Sequence, residues 1–266
     1  MKPIAFVGAG RMASAMVEGL LRAQEIAPDR ITVCGGPDPT ARELSERTGV
    51  SVAEPATVAE GADFVILACK PQQLPDLDPA LLAALECKAV ISILAGVPLR
   101  KLRAAAPRAR LIVRAMPNTP GQIGAGITAF AADPEPTEED ARVTTAILGA
   151  LGETVAVDEA DLDAVTGVSG SGPAYVFEFT AALREAARAQ GLAPDVADRL
   201  ARATVLGAAK LMHAAPEVTP EEQRDRVTSP GGTTEAGLRV LAARDLRRTL
   251  HETVAAATRR SRELGS

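Results

Sequence analysis

Five short stretches of this 266-residue chain hold residues whose types and spacing can do chemistry. The first is Val7-Gly8-Ala9-Gly10-Arg11-Met12-Ala13, a Gly-x-Gly-x-x-Ala turn that follows an apolar run and opens a helix-forming segment. In such a turn the first glycine permits the tight bend. The second lets backbone approach a pyrophosphate, and the small third residue lets helix pack on strand. Amides at the helix start then face the anion. A plain structural glycine turn has the same pattern; the strand before it and the helix after it favour a dinucleotide. Gly8, Ala9, Gly10, Arg11 and Met12 are therefore candidate cofactor ligands.

Two more stretches, Ala68-Cys69-Lys70-Pro71-Gln72 and Arg114-Ala115-Met116-Pro117-Asn118-Thr119-Pro120, end apolar runs. Open α/β sheets bind ligands beyond the carboxyl ends of such strands. Asn118 carries amide donors and acceptors, suited either to a cofactor or to locking its own loop. The last two, Gly167 to Phe177 and Ser229-Pro230-Gly231-Gly232-Thr233-Thr234, are Gly/Ser/Thr-rich turns leading into helices. Both can expose several backbone amides, and the glycines of the second let the backbone approach a ligand closely. It also reads as a helix N-cap, with Thr233 or Thr234 capping a helix that begins near Glu235. Spacing alone leaves both readings open.

A dinucleotide site binds the ribose 2′-hydroxyl through an acid after the second strand. That strand ends at Cys34 and runs into Gly35-Gly36-Pro37-Asp38, with no carboxylate at the strand end itself. A 2′-phosphate is tolerated there because no like charge repels it. NADP(H) is therefore favoured, with NAD(H) as the alternative; Arg42 is either a phosphate partner or a solvated helix residue.

Composition excludes other chemistry. A net charge of −5 lacks the basic face of a phosphate-tracking nucleic-acid protein, and six aromatic residues make a poor base-stacking platform. Three cysteines without metal-ligand spacing give neither a disulfide framework nor a zinc site and point to a reducing, cytoplasmic setting. His213 and His251 lack partners at ligand spacing and read as helix-surface residues. The N-terminal apolar run is too short for a signal segment, and no run approaches a membrane span of ~20 residues.

These stretches must be positioned by regular elements. Short apolar runs at 4–7, 31–34, 63–68, 89–93 and 111–114 alternate with helical segments at 13–24, 39–48 and 78–86, a βαβ pattern. The acid-rich 133–140 reads as a loop entering a helix, its charges facing solvent. Beyond Asp161 the chain is helical in composition, at 174–190, 193–214, 235–243 and 245–264. Asp245 suits a cap, and Pro194 and Pro220 suit first turns. The expected class is α/β: a Rossmann-type doubly wound sheet over 1–157, then an all-α region over 158–266.

Taken together and in this order, the motifs resemble pyrroline-5-carboxylate reductase, the last enzyme of proline biosynthesis. The Ser-Gly-Ser-Gly-Pro-Ala-Tyr and Ser-Pro-Gly-Gly-Thr-Thr stretches carry most of that resemblance. It implies that the helical half is a dimerisation domain, giving a homodimer or a higher ring of dimers. It also implies an active site between the cofactor domain and the helices of the dimer. The implied substrate is a small cyclic imine reduced at its C=N bond by NAD(P)H. By resemblance, the amides of Gly231, Gly232, Thr233 and Thr234 hold the substrate carboxylate, the Thr234 hydroxyl bonds the ring nitrogen, and Glu159 faces the substrate. Ala68, Lys70, Pro71, Ala95 and Gly96 lie against the cofactor, as does Gly36, where many members instead carry hydroxyl or basic residues. Ser171 and Tyr175 shape a helix start.

Two rivals remain. A β-hydroxyacid dehydrogenase wants a lysine base with a nearby asparagine in its helical half; Lys210 sits on a suitable helix, but position 214 is Ala. A non-catalytic dinucleotide-binding protein would have no need of an intact Gly-Gly-Thr-Thr turn. Tyr175 is followed four residues later by Phe179, which excludes a Tyr-x-x-x-Lys site.

Overall fold

The computed structural model describes residues 1–265 and divides into two compact units. The first holds residues 1–171 together with the chain from Ala255 onward; the second holds Gly172–Val254.

The first unit is built on an eight-stranded sheet. Its strands are β1 (Ile4–Val7), β2 (Ile31–Cys34), β3 (Ser51–Val52), β4 (Phe64–Leu67), β5 (Ala89–Ser92), β6 (Leu111–Met116), β7 (Gly126–Asp133) and β8 (Gly152–Ala156). Spatial order is β3-β2-β1-β4-β5-β6-β7-β8. The first six are parallel in the Rossmann order, whose switch point falls between β1 and β4. β7 runs antiparallel to β6, and β8 parallel to β7. The five runs read from sequence are the inner parallel strands; β3, β7 and β8 were not anticipated. β3 is two residues long, and β8 is mostly exposed, so neither shows a continuous apolar run.

Alternate residues of each strand feed two cores, as a sheet covered on both faces requires. Ile4 and Phe6 face one core with Met16, Val17 and Leu20 of α1 (Arg11–Arg22), Leu44 of α2 (Thr40–Thr48) and Ile147 of a later helix. Ala5 and Val7 face the other with Leu81 of α3 (Pro79–Ala84) and Leu102 of α4 (Leu99–Ala105).

The acid-rich loop does enter a helix, α5 (Glu138–Gly149), with the Thr137 hydroxyl accepting from the Asp140 N–H. One of its charges is not solvated, however. Asp140 is buried and pairs with Arg110 at 3.0 Å, and Arg110 also binds Asp63 at 3.0 Å and lies over the Phe64 ring.

The compact units part at residue 171, whereas the expected boundary lay at 157/158. Residues 158–171 stay with the sheet because the short helix α6 (Leu162–Val165) packs Leu162 against Ala129 and Ala131 of β7. The second unit contains α7 (Gly172–Ala189), α8 (Pro194–Ala214), α9 (Pro220–Arg226), α10 (Thr233–Ala243) and the start of α11 (Leu246–Gly265). Pro194 and Pro220 occupy first turns, and the Asp245 side chain accepts from the Arg248 N–H. The helices of this unit bury almost nothing within one chain: Phe177 is 68% exposed, Leu211 67% and Val240 61%.

Candidate active site

In the first unit the Gly8–Met12 turn sits at the switch point. Gly8 has φ +113°, and a Cβ there would lie 2.6 Å from the Ala68 carbonyl oxygen, so glycine is required for the β1 and β4 ends to meet. Gly10 is different: nothing lies within 4 Å of its Cβ position. Gly10 also precedes α1, whose first turn has neither a side-chain cap nor an acidic residue. Exposed amides, open space and no competing carboxylate are what a dinucleotide diphosphate needs, so these residues fit the group.

Around this turn, Ala68 follows the end of β4 and Lys70 and Pro71 come after it, with Gln73 Oε1 accepting from the Lys70 N–H at 2.9 Å. Lys70 is exposed and free to face a ligand. Ala95 is exposed and Gly96 buried with φ +75°, in the turn after β5. A side chain on Gly96 would press on Leu264, and one on Gly265 would meet the Gly96 oxygen at 2.6 Å, so the end of α11 abuts that turn. Asn118 Oδ1 accepts from the Ile127 N–H at 3.0 Å. Of its two sequence-level readings, the lock on its own loop is the one the geometry displays.

Glu159 lies in a network that sequence reasoning missed. Its Oε1 accepts from the Leu99 N–H at 2.6 Å and meets Arg114 at 3.3 Å. Arg114, on β6 and only 7% exposed, also pairs with Asp163 at 3.3 Å, and Asp163 accepts from the Ser261 hydroxyl at 2.7 Å. A buried arginine with two carboxylates is a structural anchor, and one oxygen of Glu159 is committed to it. The only sequence signal was an arginine inside an apolar strand.

The Gly167–Phe177 stretch begins with a wide helical turn in which the Ser171 N–H donates to the Thr166 oxygen at 2.9 Å. A Cβ on Gly170 would lie 2.7 Å from Met116 Cε, so the glycine lets this turn meet the end of β6.

In the second unit, α10 begins at Thr233, with Gly232 before it and no side-chain cap. Neither Thr233 nor Thr234 caps the helix; they are its first two residues. Two of the expected carboxylate donors are taken internally: the Gly231 N–H donates to Glu235 Oε2 at 2.7 Å, and the Gly232 N–H to the Ser229 oxygen at 2.9 Å. The donors left at the start of α10 are its uncapped first-turn amides and the Thr233 and Thr234 hydroxyls, with the Glu235 carboxylate in the same turn.

Comparisons with known proteins bear on both units. Residues 159–264 match the family model described as pyrroline-5-carboxylate reductase dimerisation. Its start lies close to the boundary read from sequence, although the compact units divide later. Residues 3–96 match the model described as NADP oxidoreductase, coenzyme F420-dependent. A pyrroline-5-carboxylate reductase of Synechocystis sp. is 41% identical over 98% of each chain. Among solved structures, a pyrroline-5-carboxylate reductase from Coxiella burnetii superposes with TM-score 0.93 at 36% identity, covering 100% of this chain and 99% of that one. The Plasmodium falciparum pyrroline carboxylate reductase with NADP bound gives TM-score 0.85 at 27% identity, over 100% and 98%. The chain belongs to the pyrroline-5-carboxylate reductase family, NAD(P)H-dependent oxidoreductases that catalyse the last step of proline biosynthesis.

Proposed function

We propose that this chain reduces 1-pyrroline-5-carboxylate to L-proline, binding NADP(H) at the Gly8–Met12 turn and the imine at the start of α10. The observation that carries the substrate site is the uncapped α10 N-terminus with two threonine hydroxyls on its first turn. NAD(P)H supplies the hydride, and the protein orients the reactants and manages charge. The α1 amides and Gly10 hold the diphosphate; Ala68, Lys70, Pro71, Ala95 and Gly96 line the remainder of the cofactor. The Thr233 and Thr234 amides take the substrate carboxylate, with the helix dipole favouring the anion. The Thr234 hydroxyl donates to the ring nitrogen as it gains an electron pair, which lowers the cost of the charge that develops there.

Glu159 and Asn118 act in this reading mainly by fixing the loops they tie down. The working form is a homodimer formed through the helical unit. The support is the apolar surface that Phe177, Leu211 and Val240 leave open in a single chain. Among the described residues no helix is long and apolar enough to cross a membrane. Cys34, Cys69 and Cys87 are free thiols, which suits a reducing cytoplasm.

Steady-state reduction of 1-pyrroline-5-carboxylate by NADPH and by NADH, with 2- and 3-hydroxy acids in the reverse direction as controls, tests the assignment. Imine-dependent oxidation of the cofactor is expected, and none with the hydroxy acids. Cofactor binding without imine turnover would refute it.

A further inference from the structure

Asp38 is the first acidic residue after β2, four positions beyond Cys34 and so not at the strand end. Its carboxylate is tied to the start of α2 and lies beside Gly36. Oδ1 accepts from the Thr40 N–H at 3.1 Å and from the Thr40 hydroxyl, both at the start of α2. Oδ2 lies 3.9 Å from where a Cβ on Gly36 would stand, and no other atom comes within 4 Å of that point. The loop therefore presents one tethered carboxylate beside an open glycine, two residues past the strand end.

The two Thr40 hydrogen bonds also hold Asp38 below the usual carboxylate range, so it is ionised at neutral pH. Lys70, after β4, is close enough to contribute to that lowering. Two other cations of this rim are paired on the helices, Arg42 with Glu46 at 3.9 Å and Arg47 with Glu18 at 3.1 Å, while Arg11 stands exposed at the start of α1.

We propose that Asp38 is the specificity-determining residue of the cofactor site: Oδ2 accepts from a ribose 2′-hydroxyl and its charge opposes a 2′-phosphate, so this chain uses NADH alongside NADPH. An acid after the second strand does this in dinucleotide sites generally. Here the tethering through Oδ1 is what brings an acid from four residues away into that position. Asp38 also offsets the pull of Lys70 on a phosphate. The inference rests on the reading of the Gly8–Met12 turn as the dinucleotide site.

The test is calorimetric titration of the native protein and of Asp38→Asn with NAD⁺ and with NADP⁺, alongside KM and kcat for NADH and NADPH. Asparagine keeps an acceptor for Thr40 and removes the charge. The expected result is a shift of the Kd ratio toward NADP⁺ by about tenfold, the scale of one charge at contact distance near a surface. The kinetic preference should follow through KM, with kcat little changed. If both nucleotides bind the native protein and the ratio does not move in the variant, the assignment of Asp38 is overturned while the site stands. If neither nucleotide binds the native protein, the site reading fails and the inference with it.

Discussion

The Gly231 N–H donates to Glu235 Oε2 at 2.7 Å, and Glu235 Oε1 in turn meets Arg239 at 3.0 Å. This carboxylate fills an amide that the resemblance gives to the substrate, and the Thr233 and Thr234 hydroxyls remain as donors on the first turn of α10. Thr234→Ala is expected to lower kcat/KM for imine reduction by about 10²-fold, the low end for a positioned proton donor. The Kd for NADPH should hold, and Thr234→Ser should recover most of the rate. Unchanged turnover in the alanine variant would remove Thr234 from the mechanism.

Gly8 and Gly10 should fail differently. Gly8→Ala places a Cβ 2.6 Å from the Ala68 oxygen in a left-handed backbone, which costs about 1–3 kcal/mol of stability and lowers Tm. Gly10→Ala meets no protein atom, so its Tm should stay within about 2 °C, as expected for a change under 0.5 kcal/mol. Its Kd for NADPH should nevertheless rise about tenfold or more, since only the diphosphate needs that space. Thermal melts and titrations on the two variants separate the roles.

Glu159 distinguishes a substrate ligand from an anchor. Glu159→Gln weakens the bonds to Leu99 N–H and Arg114, and stability should fall by about 1–3 kcal/mol in denaturant titrations. If the anchor is its whole role, KM for the imine should remain within about twofold, since no transition-state contact is lost. A large rise in KM with unchanged stability would return Glu159 to the substrate site.

The Arg110–Asp140 pair predicts an acid limb. The guanidinium holds the Asp140 carboxyl below its ordinary value. A group with a depressed folded pKa contributes stability that is fully present above its unfolded pKa, about 3.9, and lost as pH falls through the folded value. Stability should therefore be flat in this contribution from pH 7 to about 5 and decline below 4. Asp140→Asn should be less stable at pH 7 and show a shallower decline between pH 4 and 2, as read from urea midpoints.

The open helical face predicts dependence on a second copy. Leu211→Asp puts a charge on a surface that is 67% exposed in one chain. Sedimentation should show monomer for the variant and dimer for the native protein, with a Tm that no longer rises with concentration.

The inner parallel strands were legible because burial on both faces leaves uninterrupted apolar runs such as Phe64–Leu67. β8 was not, since most of its residues face solvent and its sequence carries no such run. The Gly8–Met12 turn was readable as a tight strand-to-helix turn because Gly8 is required by local geometry. The Arg114–Asp163–Ser261 chain was invisible because its bonded neighbours lie up to 98 residues apart and no local pattern links them.

The return of α11 to the sheet unit also bears on how the protein is made. Ser261, Leu264 and Gly265 pack on residues from the first two-thirds of the chain. The nucleotide-binding body therefore cannot complete its packing while its last helix is still inside the ribosome. Domains often fold in the order of their synthesis. Here the sheet body waits for a helix that comes after the helical unit in the chain, and until then the turn after β5 lacks the helix end that abuts it.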